Sequence, residues 1–238
     1  MPRFFKEDFA SAPFFEGNDA KHIIKSLRMR IGEELIVCDT KGTDYRSAIT
    51  EISADRVEFK ILETNKTVTE PTVFVTLYQC LTKGDKMDVV VRQAVESGVS
   101  KIVPVLSQNC VSRPDSGALS KKTERWQRIA DEAAGQSGRG ILPKVCDMIH
   151  IKDLPCEISK NDLSLFFYEM GGQSVDKISS DVKSVAVIIG AEGGFTTQEA
   201  EMLKAAGATV STLGPRIFRT ETAPIAALAA IMLQSGNM

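Results

Sequence analysis

The chain has 238 residues, 43% hydrophobic and 25% charged, a balance ordinary for a soluble globular protein and foreign to disordered or fibrous classes. A formal net charge of −2 gives no general attraction to nucleic acid, so a polyanionic partner has to be held by a local basic patch. The length is enough for one large core or two smaller ones.

At the N-terminus, Lys6, Glu7 and Asp8 interrupt what would have to be the apolar core of a secretory leader. The longest uncharged apolar run, Ala223 to Leu233, is far below the roughly 18 residues of a membrane span. A cytoplasmic protein without a membrane partner is expected. Next come Arg3, Lys6, Lys21, Lys25, Arg28 and Arg30, the last four in an acid-free stretch that either holds phosphates or forms a solvated face.

From Glu33 to Leu62, the runs ELIVC, YRSAITEI and RVEFKIL alternate with the turn signals DTKGTD and SAD, which predicts an antiparallel meander. The polar stretch TNKTVTEP, residues 64–71, reads as a linker. A boundary near residue 70 then separates a small β-rich domain, 1–70, from a second domain, 71–238.

Beyond the boundary, strands alternate with helices. VFVTLYQCL is a buried strand, and DKMDVVVRQAVESG places Met87, Val90, Val91, Ala94 and Val95 on one helical stripe. KIVPVL is the next strand, and KKTERWQRIADEAAGQSG a helix with Trp126, Ile129, Ala130 and Ala133 on one face. A second basic cluster, Lys121, Lys122, Arg125 and Arg128, forms its wet side. DLSLFFYE, SVAVIIG and ATVSTLG follow as strands, with TTQEAEMLKAAG as the helix between the last two. Near-continuous apolar strands separated by helices predict an α/β fold with a parallel sheet covered on both faces. The alanine-rich end, with Ala226, Ala227, Ala229 and Ala230, predicts a helix packed closely on the sheet or on a second copy.

Ligands of such sheets bind beyond the carboxyl ends of the strands. Three loops qualify: residues 168–172, residues 190–194, and residues 213–222. The second follows SVAVII directly, and Thr196-x-x-Glu199 behind it is a capping box. It lacks both G-x-G-x-x-G and a phosphate-loop lysine, which argues against nucleotide triphosphates. In the third loop, Arg216 and Arg219 either present planar donors to an anion or a nucleobase carbonyl, or are solvated and balance Glu221. Thr222 is placed to cap the last helix, with Pro224 in its first turn.

Cys38, Cys80, Cys110, Cys146 and Cys156 are odd in number, widely spaced and without C-x-x-C, so neither zinc nor a disulfide framework is expected. They read as small buried residues. His22 and His150 have no neighbours at metal or triad spacing, and no metal site is expected.

The run GAEGGFTTQEAEMLKAAGATVSTLGPRIFRTETAPIAALAA resembles the C-terminal signature of the bacterial small-subunit (16S) rRNA uridine N3-methyltransferases, of the SPOUT class. The resemblance continues in LTKGDKMDVVVRQAVESGVSKIVPVLSQNCVSR, in RWQRIADEAAGQSGR, in Arg3-Phe4 and in His22-x-x-x-x-Leu27-Arg28, and covers nearly the whole chain. It implies a PUA-like β-barrel joined to a SPOUT α/β domain whose C-terminal segment forms a trefoil knot. It also implies a homodimer that binds S-adenosylmethionine and methylates N3 of a decoding-region uridine, in 16S rRNA of the 30S subunit.

By motif position, the resemblance assigns the cofactor pocket to Gly190, Ala191, Glu192, Gly193 and Gly194, with Leu213, Gly214, Arg216, Ile217, Phe218, Arg219 and Thr220, closed at its edge by Phe167. Arg3, Lys21, Lys25, Arg28 and Arg30 would dock rRNA. Catalytic roles fall to Arg219, Arg216 and Glu192: a guanidinium can stabilise the uracil anion at O2 or O4, while Glu192 or Glu221 orients the arginines or accepts the proton. The family's loop usually reads G-P-E-G-G, with Ala191 here in place of the proline, and its arginine segment R-I-L-R, with Phe218 here in place of the leucine. Alanine leaves φ freer than proline does. The alternatives are another RNA substrate, or an rRNA-binding assembly factor without catalysis.

Overall fold

Residues 1–238 are all described in a computed structural model, which divides into two units: Met1–Glu70 with Ala134–Leu142, and Pro71–Ala133 with Pro143–Met238. In the first, β1 (Arg3–Phe5), β2 (Phe14–Glu16) and the short α1 (Gly17–Lys21), which continues into a π-helical turn at His22–Ser26, precede the meander β3 (Glu34–Cys38), β4 (Thr43–Ile52) and β5 (Arg56–Lys66). The five strands form one sheet in the order β1-β3-β4-β5-β2. Register shifts at Arg46/Ser47 and Ile49/Glu51 add local twist, as bulges do, and the sheet curls into a half-barrel.

Alternation along these strands sends Leu35, Val37, Ile49, Val57 and Phe59 inward, where they meet Phe9 and Phe15. Phe15 stands edge-on to Phe59 with centroids 5.8 Å apart. The expected linker is strand at its start: Thr64, Asn65 and Lys66 pair with Tyr45, Asp44 and Thr43, because the partner strand supplies ladder bonds that a polar segment alone does not advertise. Residues 134–142 are held to this unit by Glu70, whose carboxylate accepts from Arg139 Nε (2.9 Å), Arg139 Nη2 (2.8 Å) and the Gly140 amide (2.7 Å).

The second unit contains β6 (Phe74–Cys80), α2 (Lys86–Glu96), β7 (Lys101–Leu106), α3 (Ser116–Ser137, ending in the first unit), β8 (Lys144–Val145), β9 (Ile149–His150) and α4 (Leu154–Ile158). It continues with β10 (Leu163–Phe167), β11 (Ser184–Ile189), α5 (Thr197–Ala205), β12 (Thr209–Ser211) and α6 (Ala223–Gln234). All its strands are parallel, in the order β12-β10-β11-β6-β7-β8, with β9 also on β7. The central strands β6, β7, β10 and β11 are buried almost throughout, which is why they read as continuous apolar runs.

α6 packs on α2 and β11, burying Ala227, Leu228, Ile231 and Met232, while Leu233 stays exposed. α3 meets α2 through Trp126, whose indole donates to Asp88 at 3.1 Å. No helix is long and apolar enough to cross a membrane. Two expectations need correction. Cys38, Cys80 and Cys110 are buried, but Cys156 is exposed, because the five-residue α4 turns Leu154 and Ile158 inward and leaves Cys156 outside. Thr222 makes no side-chain cap: it is already helical at φ −96° and ψ −35°, and the turn closes earlier, with the Thr222 and Ala223 amides donating to the Arg219 carbonyl.

Candidate active site

Because β10, β11 and β12 are parallel neighbours, their carboxyl ends release three loops on one side of the sheet. These loops enclose a cavity of about 980 Å³. Its walls include Phe167, Gly190, Ala191, Glu192, Gly193, Gly194, Leu213, Gly214, Arg216, Ile217, Phe218, Arg219 and Thr220, so residues up to 53 positions apart in sequence meet in one site. Lys86, from the start of α2, joins them.

Hydrogen bonds fix the loops to one another. Thr220 Oγ1 donates to the Gly190 carbonyl at 2.6 Å and accepts from Gln79 Nε2 at 3.2 Å. Gln79, at the end of β6, is fully buried. Asn109 Nδ2 donates to the Gly193 carbonyl at 2.8 Å. The Gly194 amide closes a tight turn on the Ala191 carbonyl at 3.0 Å, with Gly194 at φ +62°. A Cβ there would meet only the end of the exposed Glu169 side chain, which can move aside, so it is the left-handed conformation that calls for glycine. Behind the loop, the expected capping box is present: the Glu199 amide donates to Thr196 Oγ1 at 3.2 Å, and the Thr196 amide to Glu199 Oε2 at 2.9 Å.

The electrostatics centre on a lysine for which the sequence reading has no role. Lys86 Nζ lies 3.2 Å from Glu192 Oε1 and 3.2 Å from Glu221 Oε2. Burial works against ionisation of Glu192, but the Lys83 amide at 3.1 Å and the Lys86 ammonium outweigh it and hold the carboxyl below its ordinary value. Glu221 is lowered likewise, against burial, by its own amide, Lys86 and Arg219. The hydrogen bond to Glu221, ahead of that to Glu192, raises Lys86. Glu192 is therefore bound to Lys86 and not to either arginine. Only its position at the opening of α2 marks Lys86 in the sequence.

Arg216 and Arg219 are exposed on the cavity wall, and neither guanidinium is taken up by an ion pair or hydrogen bond within the protein. With Phe167, Leu213, Ile217 and Phe218 as apolar wall and loop backbone as polar rim, the cavity suits a ligand with a flat apolar part and polar ends. The free guanidinia can meet negative charge that develops inside it.

In the first unit, Lys21, Lys25, Arg28 and Arg30 are all exposed around α1 and its π-helical extension, with Arg28 at φ +54°. Arg3 does not join them: its guanidinium makes a two-pronged pair with Asp44 at 2.6 and 2.7 Å, and its side chain is 9% exposed. His22 is exposed and packs edge-on to Phe4. No group of three or more metal-ligating side chains is brought together.

The family model for an RNA methyltransferase domain matches residues 69–232, and that for an RNA methyltransferase PUA domain matches residues 15–62. The ribosomal RNA small subunit methyltransferase E of Bacillus subtilis is 32% identical, over 99% of this chain and 97% of the relative. Its namesake from Aquifex aeolicus is 36% identical over 84% of this chain and 81% of the relative. The crystal structure of a ribosomal RNA small subunit methyltransferase E from Neisseria gonorrhoeae, bound to S-adenosyl methionine, superposes with a TM-score of 0.89 at 33% identity, covering 98% of this chain and 97% of that one. The chain belongs to the RNA methyltransferase family, in the branch formed by the ribosomal RNA small subunit methyltransferase E proteins.

Proposed function

We propose that the chain is an S-adenosylmethionine-dependent methyltransferase that modifies N3 of one uridine in the decoding region of 16S rRNA, on the 30S subunit. The observation that carries this reading is the large cavity, in which two uncommitted arginines face a space edged by the loops after β10, β11 and β12.

The cavity fits the cofactor on its own features: apolar walls at Phe167, Leu213, Ile217 and Phe218, and a loop that lines the space with bare backbone at Gly190, Gly193 and Gly194. Residues 190–194 and 213–220 would hold it. When bound, it supplies an electrophilic methyl group on a sulfonium. Uracil N3 is a weak nucleophile until it loses its proton, and the resulting negative charge spreads to O2 and O4. Arg219, assisted by Arg216, stabilises that charge. Glu192 and Glu221, held ionised below the ordinary carboxylate range, are weak proton acceptors, so they act by orienting Lys86 and the loops around it, and solvent or the RNA takes the proton.

Residues 1–70 form the RNA-docking domain in this reading, with Lys21, Lys25, Arg28 and Arg30 on phosphates, and residues 71–238 form the catalytic domain. Its C-terminal segment is threaded as a trefoil knot. The protein is cytoplasmic and a homodimer; the exposed Leu233 beside half-buried Ala226, Ala229 and Ala230 supports α6 as part of the dimer contact. The test incubates the purified protein with radiolabelled S-adenosylmethionine and 30S subunits that lack the modification, and maps the label by mass spectrometry. Label on uridine N3 is the expected result. Label at another position or on another RNA overturns the substrate assignment, and absence of cofactor binding overturns the enzyme.

A further inference from the structure

A second concavity, of about 380 Å³, opens in the α/β unit. Gln108 lines it, while the adjacent Asn109 reaches to Gly193 on the wall of the large cavity. Arg113, His150 and Lys152 stand around it with Gln198, and its one carboxylate is Glu199. Leu106 at the end of β7 is in register with His150 at the end of β9, so these groups leave the sheet at the same carboxyl edge as the loops of the large cavity.

The charge balance of this notch is one-sided. Glu199 is buried and fully engaged: Oε1 accepts from the Gln108 amide at 2.8 Å, and Oε2 from the Thr196 amide at 2.9 Å and the Thr196 hydroxyl at 3.1 Å. Arg113 is aimed by Nη2, which donates to the carbonyls of Ser107 at 3.2 Å and Gln108 at 2.8 Å, and its Nε and Nη1 edge stays available. His150 and Lys152 are exposed, and neither is paired within the protein. An oriented guanidinium, an ammonium and an imidazole N–H around a hollow whose acceptor is already used make a site for a tetrahedral oxyanion.

We propose that this notch binds a backbone phosphate of the RNA strand whose target base enters the large cavity. The inference rests on the RNA methyltransferase reading above. The two hollows are linked by the Asn109–Gly193 hydrogen bond, with Gln108 lining one and Gly193 the other, so a strand that delivers a base to one lays a neighbouring phosphate over the other. The notch thereby sets the register of the strand, a role that phosphate contacts play without reading sequence.

Lys152→Glu and His150→Ala test it, since both side chains are exposed and their replacement leaves the core intact. Binding of a fluorescein-labelled single-stranded RNA, taken from the small-subunit sequence around the mapped uridine, is measured across a salt series. Cofactor affinity and methyl transfer to 30S subunits are measured in parallel. Lys152→Glu is expected to weaken RNA binding about tenfold and to reduce the slope of log K against log salt by about one, with KM for subunits raised and both kcat and cofactor affinity unchanged. His150→Ala is expected to act in the same direction, more weakly.

Unchanged RNA affinity and salt slope in both variants, with wild-type protein active, would overturn the notch alone. So would a loss confined to cofactor affinity, or inorganic phosphate binding that the variants abolish while RNA binding persists. Wild-type protein that neither binds RNA nor transfers methyl overturns the underlying reading, and the notch with it.

Discussion

The Thr220 hydroxyl donates to the Gly190 carbonyl across 2.6 Å, and this single bond joins the arginine-bearing loop to the glycine loop. Gln79 Nε2, arriving from the buried end of β6, supports the same hydroxyl at 3.2 Å. The cavity wall is thus referenced to the sheet through Thr220.

Thr220→Val preserves shape and removes both contacts. Gln79 Nε2 keeps its contacts to the Cys80 and Gly190 carbonyls at 3.1 and 3.4 Å, so the loss is that of the two hydrogen bonds, about 1 kcal/mol each, and the melting temperature should fall while the fold persists. Cofactor affinity, measured by calorimetry, should fall with it, because residues 190 and 220 no longer share a reference. A lower melting temperature with unchanged affinity would confine Thr220 to stability.

Lys86→Met removes the one cation shared by Glu192 and Glu221. Burial then acts on both carboxyls with less opposition, so their pKa values rise. In the native protein, the pairing contributes stability above the ordinary carboxylate value of 4.5, and loses it as pH falls through the depressed values. The variant should therefore show the acid limb of its cofactor-binding profile displaced to higher pH. An acid limb identical to that of the wild type would remove Lys86 from the site's electrostatics.

Legibility in the sequence followed physical scale. The long buried strands β6, β7, β10 and β11 and the stripe of α2 announce themselves because burial on both faces, or on one helical face, dictates residue type over many positions. β8 and β9, at two residues each, are too short for a period to exist, and their strand character comes from pairing with β7. The glycine and arginine loops were readable because positive φ restricts residue choice, as at Gly194 and Gly214. Lys86 was not, since a lysine opening a helix has an ordinary solvated role until the fold sets two carboxylates beside it. Arg3 shows the converse: its neighbours in sequence suggested a phosphate contact, whereas β4 brings Asp44 against it.

Glu70 predicts an acid sensitivity within the first unit. Burial pushes its carboxyl up, but the Arg139 guanidinium and the amides of Gly140 and Ile141 outweigh burial and hold it below the ordinary value. Stability from this cluster is present above about 4.5 and is lost as pH falls through the lowered value. Glu70→Gln places an amide nitrogen or a neutral oxygen among donors and removes the carboxylate that both Arg139 nitrogens donate to, a cost of about 1–3 kcal/mol. Urea unfolding at neutral and acid pH checks this: the variant should be less stable at neutral pH, with a flatter acid dependence than wild type.

The two arginines separate binding from chemistry. Neither is engaged by the protein, so neither substitution leaves a buried partner exposed, and both variants should fold. If a guanidinium meets charge that develops only as N3 attacks, Arg219→Ala should lower kcat by about 10²–10³-fold while cofactor affinity changes little. Arg219 is the stronger candidate of the pair, because its charge is felt by Glu221 and so lies toward the Lys86 cluster. Arg219→Lys keeps the charge without the planar fork and should restore only part of the rate. Single-turnover methylation of 30S subunits, with calorimetric titration of the cofactor, reads both quantities. Loss of cofactor affinity with kcat intact would make Arg219 a binding residue and pass the anion-stabilising role to Arg216.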